Sequence, residues 1–366
     1  MPSSKPPVAF HPSVEKITED EPKTTADIDA TMATIREKTF ANGGHAIRSV
    51  HAKNQGMVRA TLIVEPGLPE PLAQGLFSTP GSYETLMRFS TIPGDILDDK
   101  VSVPRGLALK VVGVPGARLP GSENDVTQNF LFIDGPAFNA PSTKTFLGGL
   151  KQVAATTDHG EGAKKAFSAV LQAAEKVVEA FGGKSAKLVS MGGHPETQVL
   201  GQSFYTAAAL RHGRFIAKLA LVPVSAELRA LTDQKVDLSD KPDGLREATV
   251  AYMRTHRAEW ALQVQLCTDL ETMPVEDASI EWPQDESSYV TVARIVAESQ
   301  EAYSAALAHA VDDGMFFSPW RGLLAHQPLG NVMRARRIAY EHSAQFRAAR
   351  NGTPVVEPRD LSGVPR

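Results

Sequence analysis

Cysteine is nearly missing from this sequence. The single one, Cys267, can form neither an intrachain disulfide nor a multi-thiolate metal site. That usage suits a reducing compartment, and within "ALQVQLCTDL" the thiol reads as a small buried hydrophobe. A strong charge of either sign is also lacking: 38 Lys and Arg against 42 Asp and Glu leave a formal net charge of -4 and a pI near 6.2. A mildly acidic surface is not drawn to nucleic acid or to anionic membranes, so a small ligand or a protein partner is the better expectation. No stretch approaches ~20 consecutive apolar residues, and the opening "MPSSKPPVAFHPSVEKITEDEPKTT" has no apolar segment of secretory length. A soluble, cytoplasmic protein without a membrane span is expected.

What is present is enough apolar material, 42% of 366 residues, for a sizeable core. After a Pro-rich arm over 1–25, "TADIDATMATIREKTF" has helical spacing in Ile28, Met32, Ile35 and Phe40, and "ANGGHA" stops it. Four β-branched, apolar segments follow between Pro/Gly turns: "MVRATLIVE", "YETLMRFST", "VPRGLALKVVGV" and "QNFLFIDG". "STKTFLGGLKQVAATT" and "GAKKAFSAVLQAAEKVVEAFGG" read as helices. The β signal returns in "GQSFYTAAALRHGRFIAKLALVPV" and, after the helix "DGLREATVAYMRTHR", in "EWALQVQLCTD". Both "YVTVARIVAESQEAYSAALAHAVDD" and "GNVMRARRIAYEHSAQFRAAR" are expected as helix, the latter with Asn331 as N-cap and Gly352 as stop. Without regular βαβ alternation, the pattern predicts an α+β fold around one antiparallel barrel over 26–350, with a tail over 351–366.

Several familiar chemistries drop out. "FGGKS" at 181–185 has Val178 where a phosphate-binding loop needs glycine. There is no HExxH, no GxSxG and no GxGxxG after a strand, and the ten histidines lack metal-ligand spacing. What survives is a stripe on the last helix, where steps of four and seven align Arg336, Tyr340 and Arg347 on one face with Ala344 between. Such a stripe is ordinarily solvated surface. One chemistry gives it a purpose: a guanidinium one turn away favours the phenolate, a hard anionic donor for ferric iron, and tyrosinate is a known axial ligand of haem.

"RSVHA", "MRFST", "PRGLALKV" and "RARRIAY" resemble, in order and spacing, the RxVHA, VRFST, PRGFAxKF and RxxxY motifs of haem catalases, over about residues 25 to 350. "MPVEDASIEWPQDESSYVTVARI" and "HQPLGNVMRARRIAY" resemble the small catalase-related haem peroxidases more than full-length catalases. The resemblance implies ferric haem b, with Tyr340 as proximal iron ligand and Arg336 keeping it ionised. It implies His51 as distal histidine, hydrogen-bonded by Ser90, and Arg48, Arg88 and Arg347 as propionate partners. It places Val50 at the narrowing above the iron and Phe130 and Phe138 as aromatic lining. Registering the catalase motif GNNTPIFFIRD on "ENDVTQNFLFID" through Asp134 and Phe138 puts Asp125 at the position of the peroxide-binding asparagine, with Asn124 adjacent, so either can stand there.

An imidazole facing such an iron can take a proton from the near oxygen of a peroxide and hand it to the far one. The chain lacks the C-terminal flavodoxin-like domain and the long threading arm of large catalases, which implies easier access for organic donors. The expectation is a haem peroxidase that reduces hydrogen peroxide or organic hydroperoxides and oxidises small organic reductants, with lesser catalase activity, as a homodimer. Two alternatives stand beside it. One is hydroperoxide rearrangement as in allene oxide synthases, which carry threonine where Val50 stands; the other is a barrel that holds haem or an apolar ligand without turnover.

Overall fold

The computed structural model describes residues 5–92, 94–156 and 195–366. The helix expected over 162–183 and the "FGGKS" segment lie outside them. Nine strands form one antiparallel sheet: β1 (Lys53–Val64), β2 (Ser82–Thr91), β3 (Arg105–Val112), β4 (Thr127–Ile133), β5 (Phe204–Tyr205), β6 (Leu210–His212), β7 (Phe215–Pro223), β8 (Ala258–Leu266) and β9 (Val290–Ala297). Their order is β5-β4-β3-β2-β1-β9-β8-β7-β6, and β5 pairs with β7 as well as β4. That second pairing closes eight strands into a barrel and leaves β6 as a flange on β7.

Alternation along each strand sends Val58, Leu62, Phe89, Leu109, Trp260 and Ile295 into one buried core. Each such side chain contributes roughly 1.5–3 kcal/mol when removed from water. The four β segments read between residues 57 and 135 correspond to β1 to β4, as the turn signals predict. One expectation is overturned: the first part of "YVTVARIVAESQEAYSAALAHAVDD" is strand β9, not helix. Its β-branched residues pair with β8 on one side and β1 on the other, and no other described strand bridges those two. Only the end of that segment turns, as Ala305–Ala308 followed by a π-helical turn, His309–Asp313.

Among the described residues four longer helices pack outside the barrel: α1 (Glu21–Gly43), α2 (Thr143–Thr156), α3 (Gly244–Met253) and α4 (Asn331–Asn351). Ile28, Met32 and Ile35 of α1 meet Leu150 of α2 and Ala335 and Ala339 of α4, so the helical spacing seen in the sequence is the buried face. α1 stops at Gly44 with φ 70°, and α4 at Gly352 with φ 66°. Asn331 is not the N-cap of α4. It is the first helical residue, and its side-chain oxygen accepts from the Thr143 amide at 3.1 Å, joining the starts of α2 and α4. Cys267 is fully buried, and burial pushes its thiol up to about 11. The C-terminal tail crosses the outer face of the sheet, with Leu361 and Val364 on Met57 and Leu86 and Glu357 paired to the buried Lys110. No described helix is long and apolar enough to cross a membrane.

Candidate functional site

The turn into β1 places His51 at φ 52°, a left-handed conformation that costs a residue with a side chain roughly 1–3 kcal/mol and persists where its surroundings over-determine it. Arg88 on β2 supplies that constraint: its two terminal nitrogens donate to the carbonyls of His51 and Ala52, each at 3.0 Å. The imidazole lies flat against Gly106 of β3, where a Cβ atom would fall 2.4 Å from its Cε1. Ser90 Oγ stands 3.3 Å from Nδ1. β2 and β3 pair Ser90 with Gly106, so two adjacent strands build the seat for one ring. Burial, then the positive charges of Arg88 and Arg336, depress His51 to about 3, so the ring is neutral across the physiological range.

α4 faces this seat. Arg336 Nη2 donates to Tyr340 Oη at 2.8 Å, and its guanidinium carbon lies 4.9 Å from the centre of the phenol ring. Tyr340, Ala339, Ser343 and Arg347 form one wall of a narrow cavity. Val50, Arg48, Phe316 and Phe317 line the rest, with Met32 of α1. A second, smaller pocket, at one end of the barrel between Thr91, Arg105 and Leu245, has no phenol or imidazole in its wall.

Arg48 and Arg347 reach the cavity from behind a cage of oxygens. Arg48 donates to Asp312 Oδ1 and to the carbonyls of Val311, Asp312 and Met315, and Arg347 to those of Asp312, Asp313 and Met315. Burial lowers both guanidiniums, Arg347 to about 10. Burial alone would raise the Asp312 carboxyl, but Arg88 and Arg48 outweigh it and hold it below the ordinary range. Among the described residues, three guanidiniums (Arg48, Arg88, Arg347) meet two carboxylates here, Asp312 and Asp313, and Arg336 stands by the phenol. The excess positive charge suits an anionic ligand, and Nε of the buried Arg347 has no partner in the protein.

The structure thus brings Arg48, Val50, Tyr340 and Arg347 to one cavity, with Arg336 bonded to Tyr340, while His51 and Ser90 contact each other outside its wall. Arg88 is buried behind His51 and takes no part in the cavity wall. Four other residues go elsewhere. Phe130 points into the barrel, stacked on Phe77 at 6.4 Å, because alternation gives the outer face of β4 to Asn129 and Leu131. Phe138 packs on Phe146 and beside Met333 of α4. Asp125 is bound to Arg321 at 2.6 Å, and Asn124 is exposed. Both precede Thr127, which pairs with Val112 at the opposite end of β3 from Gly106, so neither is the amide beside His51. The buried Asn129, whose side-chain nitrogen and oxygen have no partners, is the amide that β4 carries on its outer face.

Two members of the site escaped sequence reading. Asp312 lay in a stretch read as regular helix, and Gly106 had the appearance of an ordinary strand glycine. Among the described residues no group of three or more His, Cys, Asp or Glu side chains could hold a metal ion.

Two further buried imidazoles sit in the barrel, their ring centres 5.7 Å apart. Burial depresses His212 to about 4 and His326 well below its usual range. A histidine neutral in the fold and titrating near 6.5 when unfolded contributes its stability in full above about pH 6.5. That contribution is lost as pH falls through about 4 for His212 and about 3 for His51. Thermal melts are therefore expected to drop steadily between about pH 6.5 and pH 4. A midpoint that stays level over that window would show that these rings are not held neutral.

The comparisons with solved structures decide the fold. The chain superposes on a fungal catalase with a TM-score of 0.59 at 16% identity, covering 100% of this chain and 72% of that one. It superposes on catalase A from Saccharomyces cerevisiae with 0.62 at 17%, covering 95% and 68%. The fold is catalase-like. A bacterial catalase gives the same result, 0.60 at 14%, with 97% and 66% covered. No family profile and no curated protein matches the sequence. In the catalase-like barrel of this chain, Tyr340 lines the cavity beside Val50, the residue before His51, and the Arg336 that holds Tyr340 also acts on His51 through its charge.

Proposed function

We propose that the chain is a haem-dependent oxidoreductase of the catalase-like fold that reduces hydroperoxides at the expense of small organic donors. The observation that carries this reading is the pairing of Arg336 with the Tyr340 phenol at 2.8 Å on the wall of a cation-rich cavity. The residues fit haem b. A phenol held by a guanidinium is the donor that ferric iron takes, and the partnerless Nε of Arg347 and the surplus of guanidiniums suit carboxylates on the porphyrin edge. Tyr340 would hold the iron, Arg48 and Arg347 the propionates, and Val50 would narrow the approach on the His51 side.

Bound haem would supply the redox chemistry that breaks the O–O bond. The chain's own contribution is proton movement and position. His51 is neutral, so its ring would take a proton from a bound hydroperoxide while Ser90 steadies Nδ1. Its depressed basicity makes the protonated ring a ready donor to the departing oxygen, so one group serves both transfers. With Asn124 and Asp125 away from the ring, no carboxylate raises His51, and proton transfer does not wait on a titration near neutrality. Small peroxide and an organic reductant are the partners this reading requires; a homodimer in the cytoplasm belongs to it as proposal.

Measuring oxygen release and donor oxidation side by side at equal peroxide tests the reading. Donor oxidation faster than oxygen release is the expected result, and haem-loaded protein that does neither would overturn it.

A further inference from the structure

We propose that Asp312 is a positioning residue that ties the ligand-holding arginines to the backbone of His51. The proposal rests on the haem reading of the cavity and gives that site a second layer. The carboxylate is shared three ways. Oδ1 accepts from Arg48 Nη1 at 2.9 Å and from Arg88 Nε at 2.6 Å, and Oδ2 accepts from Asn54 Nδ2 at 2.9 Å. Each partner serves a different part of the site. Arg48 lines the cavity, Arg88 grips the carbonyls of His51 and Ala52, and Asn54 forms the bulge of β1 by accepting from the Gly56 amide at 2.8 Å.

The π-helical turn explains how one residue reaches all of them. Over His309–Asp313 the backbone turns its carbonyls toward Arg48 and Arg347, and the same turn carries the Asp312 side chain to Arg88. The charges of Arg88 and Arg347 oppose that of Arg48, and the charge of Arg88 opposes that of Arg347, so without a common anion these guanidiniums would separate. If the carboxylate is lost, Arg88 loses its anchor at Nε and the left-handed His51 loses the clamp that sustains it. An anion arriving at Arg48 and Arg347 is thus sensed at His51 through a single carboxylate.

Asp312→Asn, which keeps the shape and removes the charge, tests this with cyanide as probe, since cyanide uptake by ferric haem needs a base at the distal side. Wild-type haem titration comes first: absence of haem uptake sinks the haem reading and this proposal with it. Given uptake, Asp312→Asn is expected to weaken haem binding and to slow cyanide association, each by roughly 10–100-fold, the range for groups that orient a ligand from behind. In a His51→Ala background the same change should slow cyanide no further, because the two act as one unit. Unchanged cyanide association, or an effect of equal size without His51, overturns the proposal while leaving the haem reading intact. If Asp312→Asn fails to fold, Arg88→Lys keeps the cation but gives up the three-way grip. Slowed cyanide association there supports the link and an unchanged rate overturns it.

Discussion

Replacing His51 by alanine is expected to leave haem bound and to lower the rate of reaction with peroxide by about 10²–10⁴, the range for removing a general acid–base group. Retention follows from the geometry. The ring lies against Gly106 on the β3 side, whereas the phenol and the cavity-lining arginines that would hold haem belong to α4 and to the segment before β1. The kinetic loss follows from the position of the ring among its neighbours. Ser90 contacts Nδ1, Val50 and Phe317 are apolar, and Arg88 is spent on backbone carbonyls. None of them can carry a proton between two peroxide oxygens. Stopped-flow mixing with peroxide measures the step, and a rate equal to wild type would remove His51 from the chemistry.

Tyr340→Phe should act on binding itself. The change deletes one oxygen, yet that oxygen is both the proposed iron ligand and the acceptor for Arg336. Phenylalanine keeps the ring packing with the Arg336 guanidinium and leaves Nη2 without its partner, so fold loss is a minor part of the effect. Loss of the ligand should exceed the ~10–100-fold cost of losing a group behind it, and the Soret band of ferric haem mixed with the variant should resemble free haem. Arg336→Gln should fall between, retaining the oxygen without the charge. Tyr340→Phe protein that binds haem as tightly as wild type would show that another side chain holds the iron.

The barrel was largely legible because its signal is local. Apolar, β-branched runs such as "YETLMRFST" and "VPRGLALKVVGV" and the Pro/Gly turns between them mark β2 and β3, while their register comes from the pairing itself. β9 differs from the expected helix because "YVTVARIVAES", though β-branched, runs with no Pro/Gly turn into Ala-rich "AYSAALAHA"; it is a strand because β1 and β8 each pair with it. The helix stripe of Arg336 and Tyr340 followed from spacing alone, since a four-residue step is one turn wherever the helix lies. Residues whose role depends on the packing of distant segments were not accessible in this way. Asp312 meets Arg48 and Arg88 across more than two hundred positions, and nothing in "AVDDG" distinguishes it from a helix-ending acid. Motif registration failed at Asp125 and Phe130 for a related reason. In β4 a one-residue offset exchanges inner and outer faces, so matching Asp134 does not carry the face along with it.

The most direct test is titration of the purified chain with ferric protoporphyrin IX, followed by resonance Raman spectroscopy. Saturation at one haem per chain, with the vibrations of an iron-bound phenolate, is the predicted result. Absence of saturable uptake, or a haem whose spectrum shows imidazole or thiolate in place of phenolate, would contradict the assignment of Tyr340.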